Sequence, residues 1–309
     1  MLIRQSAFEP FAGKMLKGGL HCHTTRSDGK GDPADVMRIY GEKGFDFLAI
    51  TDHRRYNYTN FAPETGLLIV PGMEMDRNLS SDEGMCFHTV SIGPSREDGN
   101  GFEQDQTFES GLVKDQYEYQ AVLDMLHANG NRTIYCHPDW SCTPARSYEN
   151  MKGNFAMEIW NTGCVLENHM DMNAMGWDEL LLQGKRIFGV ATDDGHAMNQ
   201  HGLGWVRVRA EKELNAILDA LERGDFYAST GPEIYDFYVE DGVAHLACSP
   251  CASICFLTGR RPSQLTQGES LTGAEAKLRL DYGYVRATVL DAEGNRAWTN
   301  PIFLDGAAK

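Results

Sequence analysis

The stretch KGGLHCHTTRSDGKGDPADVMRIYGEKGFDFLAITDH, residues 17–53, reads as strand, helix, strand. Lys17–Cys22 is the first predicted strand. The helix is predicted over Pro33–Lys43, with Asp32 as its N-cap and Pro33 in its first turn. Gly44 closes that helix, and Phe47–Thr51 is the next strand. Both strands run into side chains of the metal-ligating kind: His21, His23 and Asp28 after the first, Asp52 and His53 after the second. Histidines two residues apart on a strand share a face, so His21 and His23 can reach one ion.

The same arrangement continues outward. Leu67–Pro71 is a strand followed by Gly72 and then Glu74; Cys86–Ile92 alternates like a strand and contains His88. Arg132–Cys136 leads to His137, Ala156–Trp160 contains Glu158, and Ile187–Ala191 leads to Asp194 and His196. Helical spacing lies between them, through Val122, Leu123 and Leu126 up to Gly130, over Glu179–Leu182 up to Gly184, and over Leu214–Arg223 up to Gly224. Strand–helix alternation predicts an α/β fold with a mainly parallel sheet, open or closed into a barrel. Glu97–Gly111 reads as a long surface loop.

After about Ser229 the pattern changes to short alternating strands: Tyr235–Glu240, Val243–Ala247, Ser253–Thr258, Lys277–Leu280, Val285–Leu290 and Ala297–Phe303. Asp241-Gly242 is a hairpin signal, and Asp291–Gly294 a second. The expected division is an α/β domain over 1–228 and a small antiparallel β domain over 229–309.

The chain has 309 residues, 28 Lys and Arg against 44 Asp and Glu, and a formal charge of −16. At 42% hydrophobic residues it can bury a substantial core. The negative charge disfavours duplex nucleic acid, which needs clustered cations, and anionic membrane surfaces. No run approaches the roughly 18 apolar residues of a membrane span, and the N-terminus lacks the apolar run of a secretory signal. Eight scattered cysteines suggest a reduced, cytoplasmic setting.

Nine candidate ligands thus sit beside the predicted strands: His21, His23, Asp28, His53, Glu74, His88, His137, Asp194 and His196. Mixed nitrogen and carboxylate donors suit Zn, Mn or Fe. Nine are too many for one tetrahedral ion, so two or three divalent ions are expected, with one carboxylate bridging. Such clusters serve phosphoryl transfer. His127 and His245 read as structural, while His169 and His201 are candidates to face the substrate. Cys248-x2-Cys251-x3-Cys255 has metal-like spacing but no evident fourth ligand. Cys22 and Cys136 alternate with ligands and are expected to point away from the metals.

HCHTTRSDG at 21–29, TDH at 51–53, GME at 72–74, His88, HP at 137–138, EIWN at 158–161 and DGH at 194–196 together resemble the polymerase-and-histidinol-phosphatase (PHP) domain metalloenzymes over roughly residues 15–228. TGP at 230–232 and AWTNPI at 297–302 resemble the carbaryl-hydrolase-like CehA/McbA-type branch. The resemblance implies a distorted seven-stranded β/α barrel and a trinuclear site. His21, His23, Glu74 and Asp194 would hold one ion, Glu74, His88 and His137 a second, and Asp28, His53 and His196 a third. It further implies that Asp52 orients a ligand histidine by a hydrogen bond, and that Glu158 is either a positioning group or a distal acid/base. Asp194 and His196 would stand at the reacting centre.

The expected function is hydrolysis of a small phosphomonoester or phosphodiester by a metal-bridged hydroxide. The alternatives are a carbamate, carboxyl-ester or amide hydrolase, and a non-catalytic metal-binding module. Arg54 and Arg55 are candidate phosphate contacts, with ordinary surface residues as the alternative. Asn161 could add a hydrogen bond to substrate, and His201 a contact. The acidic bulk charge does not exclude a small anionic ester, because bound ions invert the local sign.

Overall fold

The computed structural model describes residues 4–8, 12–80, 85–172, 174–260 and 263–304. The helix after the first strand runs over Pro33–Glu42, and the Asp32 carboxylate accepts the Ala34 N–H at 3.0 Å. Val36, Met37 and Tyr40 form its buried face. A cap of this kind stabilises by about 1 kcal/mol. Asp115 caps Gln116–Ala128 in the same way, and Gly224 with φ 84° ends Leu214–Arg223.

The strands Leu16–Gly19, Phe47–Leu48 and Leu68–Ile69 pair in parallel. Pro71, which has no N–H to donate, lies where the chain leaves that sheet. Beyond it Gly72–Leu79 joins a second, six-stranded sheet, ordered Phe188–Thr192, Asn154–Asn161, Arg132–Tyr135, Cys86–Ile92, Gly72–Leu79 and Leu112–Val113. This sheet is mixed where a mainly parallel one was expected. Cys86–Ile92 is antiparallel to both neighbours. The link from Leu79 to Cys86 is too short for a crossover, which takes about a dozen residues.

In place of the expected seven-stranded barrel, hydrogen bonding divides the strands between the two sheets, and isolated parallel bridges join Cys22 to Gly195 and His53 to Glu74. These bridges lie among the ligand-type residues. The core shared by the sheets takes Leu20, Ala49, Val70, Val90, Ile134, Ala156, Val190 and Val206, all 0% exposed.

The C-terminal strands are antiparallel, as expected. Asp241 and Gly242 both have positive φ, 51° and 75°, the backbone of a type I′ hairpin turn. Val243–Thr258 is one long strand, irregular between Ala247 and Cys251. Gln264–Lys277 is a strand where only Lys277–Leu280 was expected. Its residues are mostly solvent-facing, so it lacks the apolar alternation that reveals a strand. Phe226–Ser229 pairs with Trp205–Val208 on one side and Arg296–Thr299 on the other. The C-terminal strands therefore extend the sheet that carries Leu16–Gly19. Arg286 reaches from them to Asp178 with two hydrogen bonds of 2.8 and 2.9 Å.

The expected loop over 97–111 contains neither helix nor strand, and only an isolated bridge from Thr107 to Arg55. No helix among the described residues is long and apolar enough to cross a membrane. All eight cysteines are unbridged.

Candidate metal centre

All nine ligand candidates converge on one cavity of about 240 Å³ or lie immediately beneath it. His21 Nε2 and His23 Nε2 are 3.2 Å apart. Asp194 Oδ1 lies 3.2 Å from the first and 2.9 Å from the second, and Glu74 Oε2 lies 3.5 and 3.2 Å from them. These four side chains are almost wholly buried. The other oxygen of Glu74 faces a different pair, with His88 Nδ1 at 2.9 Å and His137 Nε2 at 3.3 Å. Asp28 lies 3.4–3.6 Å from His23, His53 and His196, at the exposed rim.

The local backbone explains part of this convergence. His21 and His23 share a face because the chain stays extended between them. Asp194 and His137 have positive φ, 47° and 24°, a conformation that costs about 1–3 kcal/mol in a non-glycine residue. At His137 it breaks the alternation with Cys136, whose sulfur lies within 4.8 Å of ligand atoms of Glu74 and His137. Cys136 thus faces the centre it was expected to turn from. Cys22 does point away, its thiol directed at the Ala49 carbonyl. His88 reaches the site from near the start of its strand, because that strand runs antiparallel.

Positioning groups surround the ligands. Glu158 accepts four hydrogen bonds, from His21 Nδ1 at 2.7 Å, Thr192 Oγ1 at 2.6 Å, the His137 N–H at 2.9 Å and Asn161 Nδ2 at 2.9 Å. Saturated in this way and absent from the cavity lining, it is placed to hold His21, not to exchange protons with substrate. A proton on His21 Nδ1 leaves the Nε2 lone pair facing the other ligands. Asp52 holds no histidine directly. Its carboxylate accepts from the Thr24 N–H, the Thr24 hydroxyl and the Ser27 hydroxyl. It fixes the turn leading to Asp28, and Ser27 Oγ lies 3.3 Å from His23 Nδ1.

The expected substrate contacts are placed elsewhere. Arg54 pairs with Asp76, and Arg55 reaches toward Asp105 at 3.7 Å. Asn161 is fully buried, donating to Glu158 and Asp194 while its oxygen caps the helix Thr162–Asn168. His201 is fully buried behind Gly195. None of the four lines the cavity: Arg54, Arg55 and Asn161 face nearby carboxylates, and His201 is buried with neither ring nitrogen hydrogen-bonded. His169 is exposed at a helix end, His127 hydrogen-bonds Thr133, and His245 pairs with Glu275.

Sequence reading missed three participants. Asp76 lies 3.1 Å from His53 Nδ1; the alternation of Glu74 and Asp76 along GMEMD carried that signal. Trp140 forms a cavity wall, its ring 5.0 Å from that of His137. Glu167 adds a carboxylate at the mouth.

The donor set fits divalent ions. Two imidazole nitrogens and two carboxylate oxygens point at one another, and Asp194 Oδ1 and His53 Nδ1 have no hydrogen-bond partner. Such a set is stable only around a cation or added protons. Burial opposes protonation of His21, but Asp194, Glu74 and Glu158 outweigh it and raise its pKa. Burial likewise opposes ionisation of Glu74, but the surrounding histidines outweigh it and hold its pKa well down. His196 is pushed up to about 9, against burial, by Asp28 and Asp194. A bound ion would displace those protons.

The PHP domain family model matches residues 19–228, and the chain belongs to that family. Family membership and the His/Asp/Glu cluster together fit a metal-dependent hydrolase. A crystallised two-domain protein from Bacteroides vulgatus, described as containing a predicted PHP-like metal-dependent phosphoesterase, is 12% identical with a TM-score of 0.51, covering 96% of this chain and 97% of that one. PsfC from Pseudomonas syringae is 13% identical with a TM-score of 0.45, covering 69% of this chain and 91% of that one. A comparison with curated proteins finds no match.

Proposed function

We propose that this protein is a metal-dependent phosphoesterase of small substrates that prefers a monoanionic diester to a dianionic monoester. The observation that carries this reading is the composition of the cavity. Glu74 presents one oxygen to each of two histidine groups, beside a wall of Trp140, Gly163, Cys164 and Asn168. Among the described residues, no Lys or Arg lines the cavity. His21, His23, Glu74 and Asp194 would hold one ion, Glu74, His88 and His137 a second, and Asp28, His53 and His196 a third.

When bound, such ions supply Lewis acidity and lower the pKa of water. The chain's own residues do the rest. Glu158 keeps the His21 proton on Nδ1, and the Asp194 carbonyl, 2.9 Å away, does the same for His196. Trp140 offers a flat apolar wall to an ester substituent. Asp28, Glu74, Asp194 and Glu167 oppose the charge of two divalent ions in full and leave about two positive charges where a third is bound, a balance that suits a monoanion better than a dianion.

The absence of Lys and Arg from the lining also favours a second reading, hydrolysis of a neutral aryl carbamate or carboxyl ester, which suits the CehA/McbA-type resemblance. Initial rates with bis-aryl phosphate, aryl phosphate, aryl ester and aryl carbamate in the presence of Mn separate the readings. The expected result is a kcat/KM for the bis-aryl phosphate at least tenfold above the monoester. A faster carbamate or ester reaction overturns the first reading, and inactivity on all four points to a non-catalytic module.

A further inference from the structure

A second cavity, of about 440 Å³, opens between the N-terminal strand segment, the end of the first helix and the C-terminal strands. Lys14, Lys17, Lys43, Arg207 and Arg209 line it, and among the described residues Glu233 is the one acidic residue that does. The chain has only 28 cationic residues and a charge of −16, so five of them around one cavity is a strong local reversal of sign. The cavity shares no lining residue with the metal centre.

The arrangement is unfavourable without a counter-ion. Lys17 and Arg207 stand directly opposite each other on paired antiparallel strands, and like charges in that position destabilise. Glu233 answers Arg207 at 2.9 Å. Lys17, Lys43 and Arg209 donate to neutral groups. Lys17 Nζ donates to the Lys43 carbonyl at 3.2 Å and lies 3.9 Å from the Trp205 ring centre. Lys43 Nζ donates to the His201 carbonyl, and Arg209 donates to the Tyr235 carbonyl at 2.7 Å. Burial, then Arg207 and Lys43, push the Lys17 amine down to about 8 against the pull of Asp193 and Asp46. Burial is the larger cause, and the neighbouring cations add to it.

We propose that this cavity is a binding site for a small polyphosphate-type anion, separate from the hydrolytic centre. Five cations against Glu233 in the lining and Asp46 and Asp193 close to Lys17 leave about two positive charges to be met, more than a single carboxylate ligand supplies. Arg and Lys side by side match phosphoryl oxygens, the guanidinium by its planar fork and the ammonium as a point charge. The acidic remainder of the surface repels such an anion, which concentrates its binding at this one place.

The test uses inorganic pyrophosphate with the full-length, metal-loaded protein. Calorimetry should show saturable binding, tighter than that of sulfate at equal ionic strength, and weakened at least tenfold in the Lys14→Gln/Arg209→Gln double variant. Hydrolysis at the metal centre, measured without pyrophosphate, should stay within twofold in that variant. Pyrophosphate should also slow acylation of Lys14 and Lys17 at least threefold, read by peptide mass spectrometry. Capture of pyrophosphate by the metals alone would leave the double variant binding equally and the lysines equally reactive; either result overturns the proposal. Equal affinity for sulfate overturns the polyphosphate class.

Discussion

Glu158→Gln isolates the positioning of His21 from every other property of the centre. The substitution preserves shape and replaces one acceptor oxygen with an NH2 donor. On the Oε2 side the donors are the His137 backbone N–H and Asn161 Nδ2, whose own oxygen is committed to the Cys164 N–H. Neither can turn into an acceptor, so the new NH2 must face the Oε1 side. There the Thr192 hydroxyl can rotate toward the Trp160 carbonyl, 3.5 Å away. His21 cannot rotate. It must lose its 2.7 Å hydrogen bond or move its proton to Nε2, which removes the lone pair that faces Glu74 and Asp194. Loss of such an outer partner costs about 10–100-fold in metal affinity, equivalent to about 1.4–2.8 kcal/mol. Titration of Mn or Zn against a competing chelator measures it, and urea unfolding of the metal-free variant verifies that it folds. Thr192→Val removes a donor to Glu158 but leaves His21 its partner, and should weaken affinity less than about threefold. Unchanged affinity in Glu158→Gln, or equal damage in Thr192→Val, would refute the reasoning.

Elemental analysis should find two or three Mn, Fe or Zn ions per chain, and Asp194→Ala should abolish hydrolysis while circular dichroism shows a native fold. Chelation should lower the melting temperature, since an ion present at 100 times its Kd contributes about 2.7 kcal/mol to stability. Arg286→Ala should cost about 3–5 kcal/mol in urea unfolding, because Asp178 loses two hydrogen bonds and Arg286 is only 3% exposed; the double change Arg286→Met/Asp178→Leu should cost less. Raising the pH from about 8 to 10.5 should raise stability relative to a Lys17→Met variant. In that window the unfolded chain keeps the Lys17 proton and the folded chain has released it, so proton loss favours the folded state. A flat difference between the two proteins across that range would contradict the depressed amine.

The sequence by itself determined the strand–helix alternation, the capped helix after Asp32, the hairpin at Asp241-Gly242 and the nine ligand-type residues in order. Those features are local: a cap, a turn or a strand-end histidine depends on neighbours a few residues away. The tertiary structure alone decided how they meet. Only long-range register shows that Glu74 faces two histidine groups with its two oxygens, and that His88 enters from an antiparallel strand. Arg54 looked available for phosphate because the adjacent His53 is a candidate ligand, but Asp76, 22 residues on, takes its charge. Glu158 was ambiguous until its four donors, drawn from residues 21, 137, 161 and 192, were brought around it. The cationic cavity left no trace in a chain of −16 charge, since Lys14 and Arg209 become neighbours only when the first strand pairs with Trp205–Val208. Charge and hydrogen bonding act through space over a few ångströms, and sequence order does not record which distant residues will fall within that range.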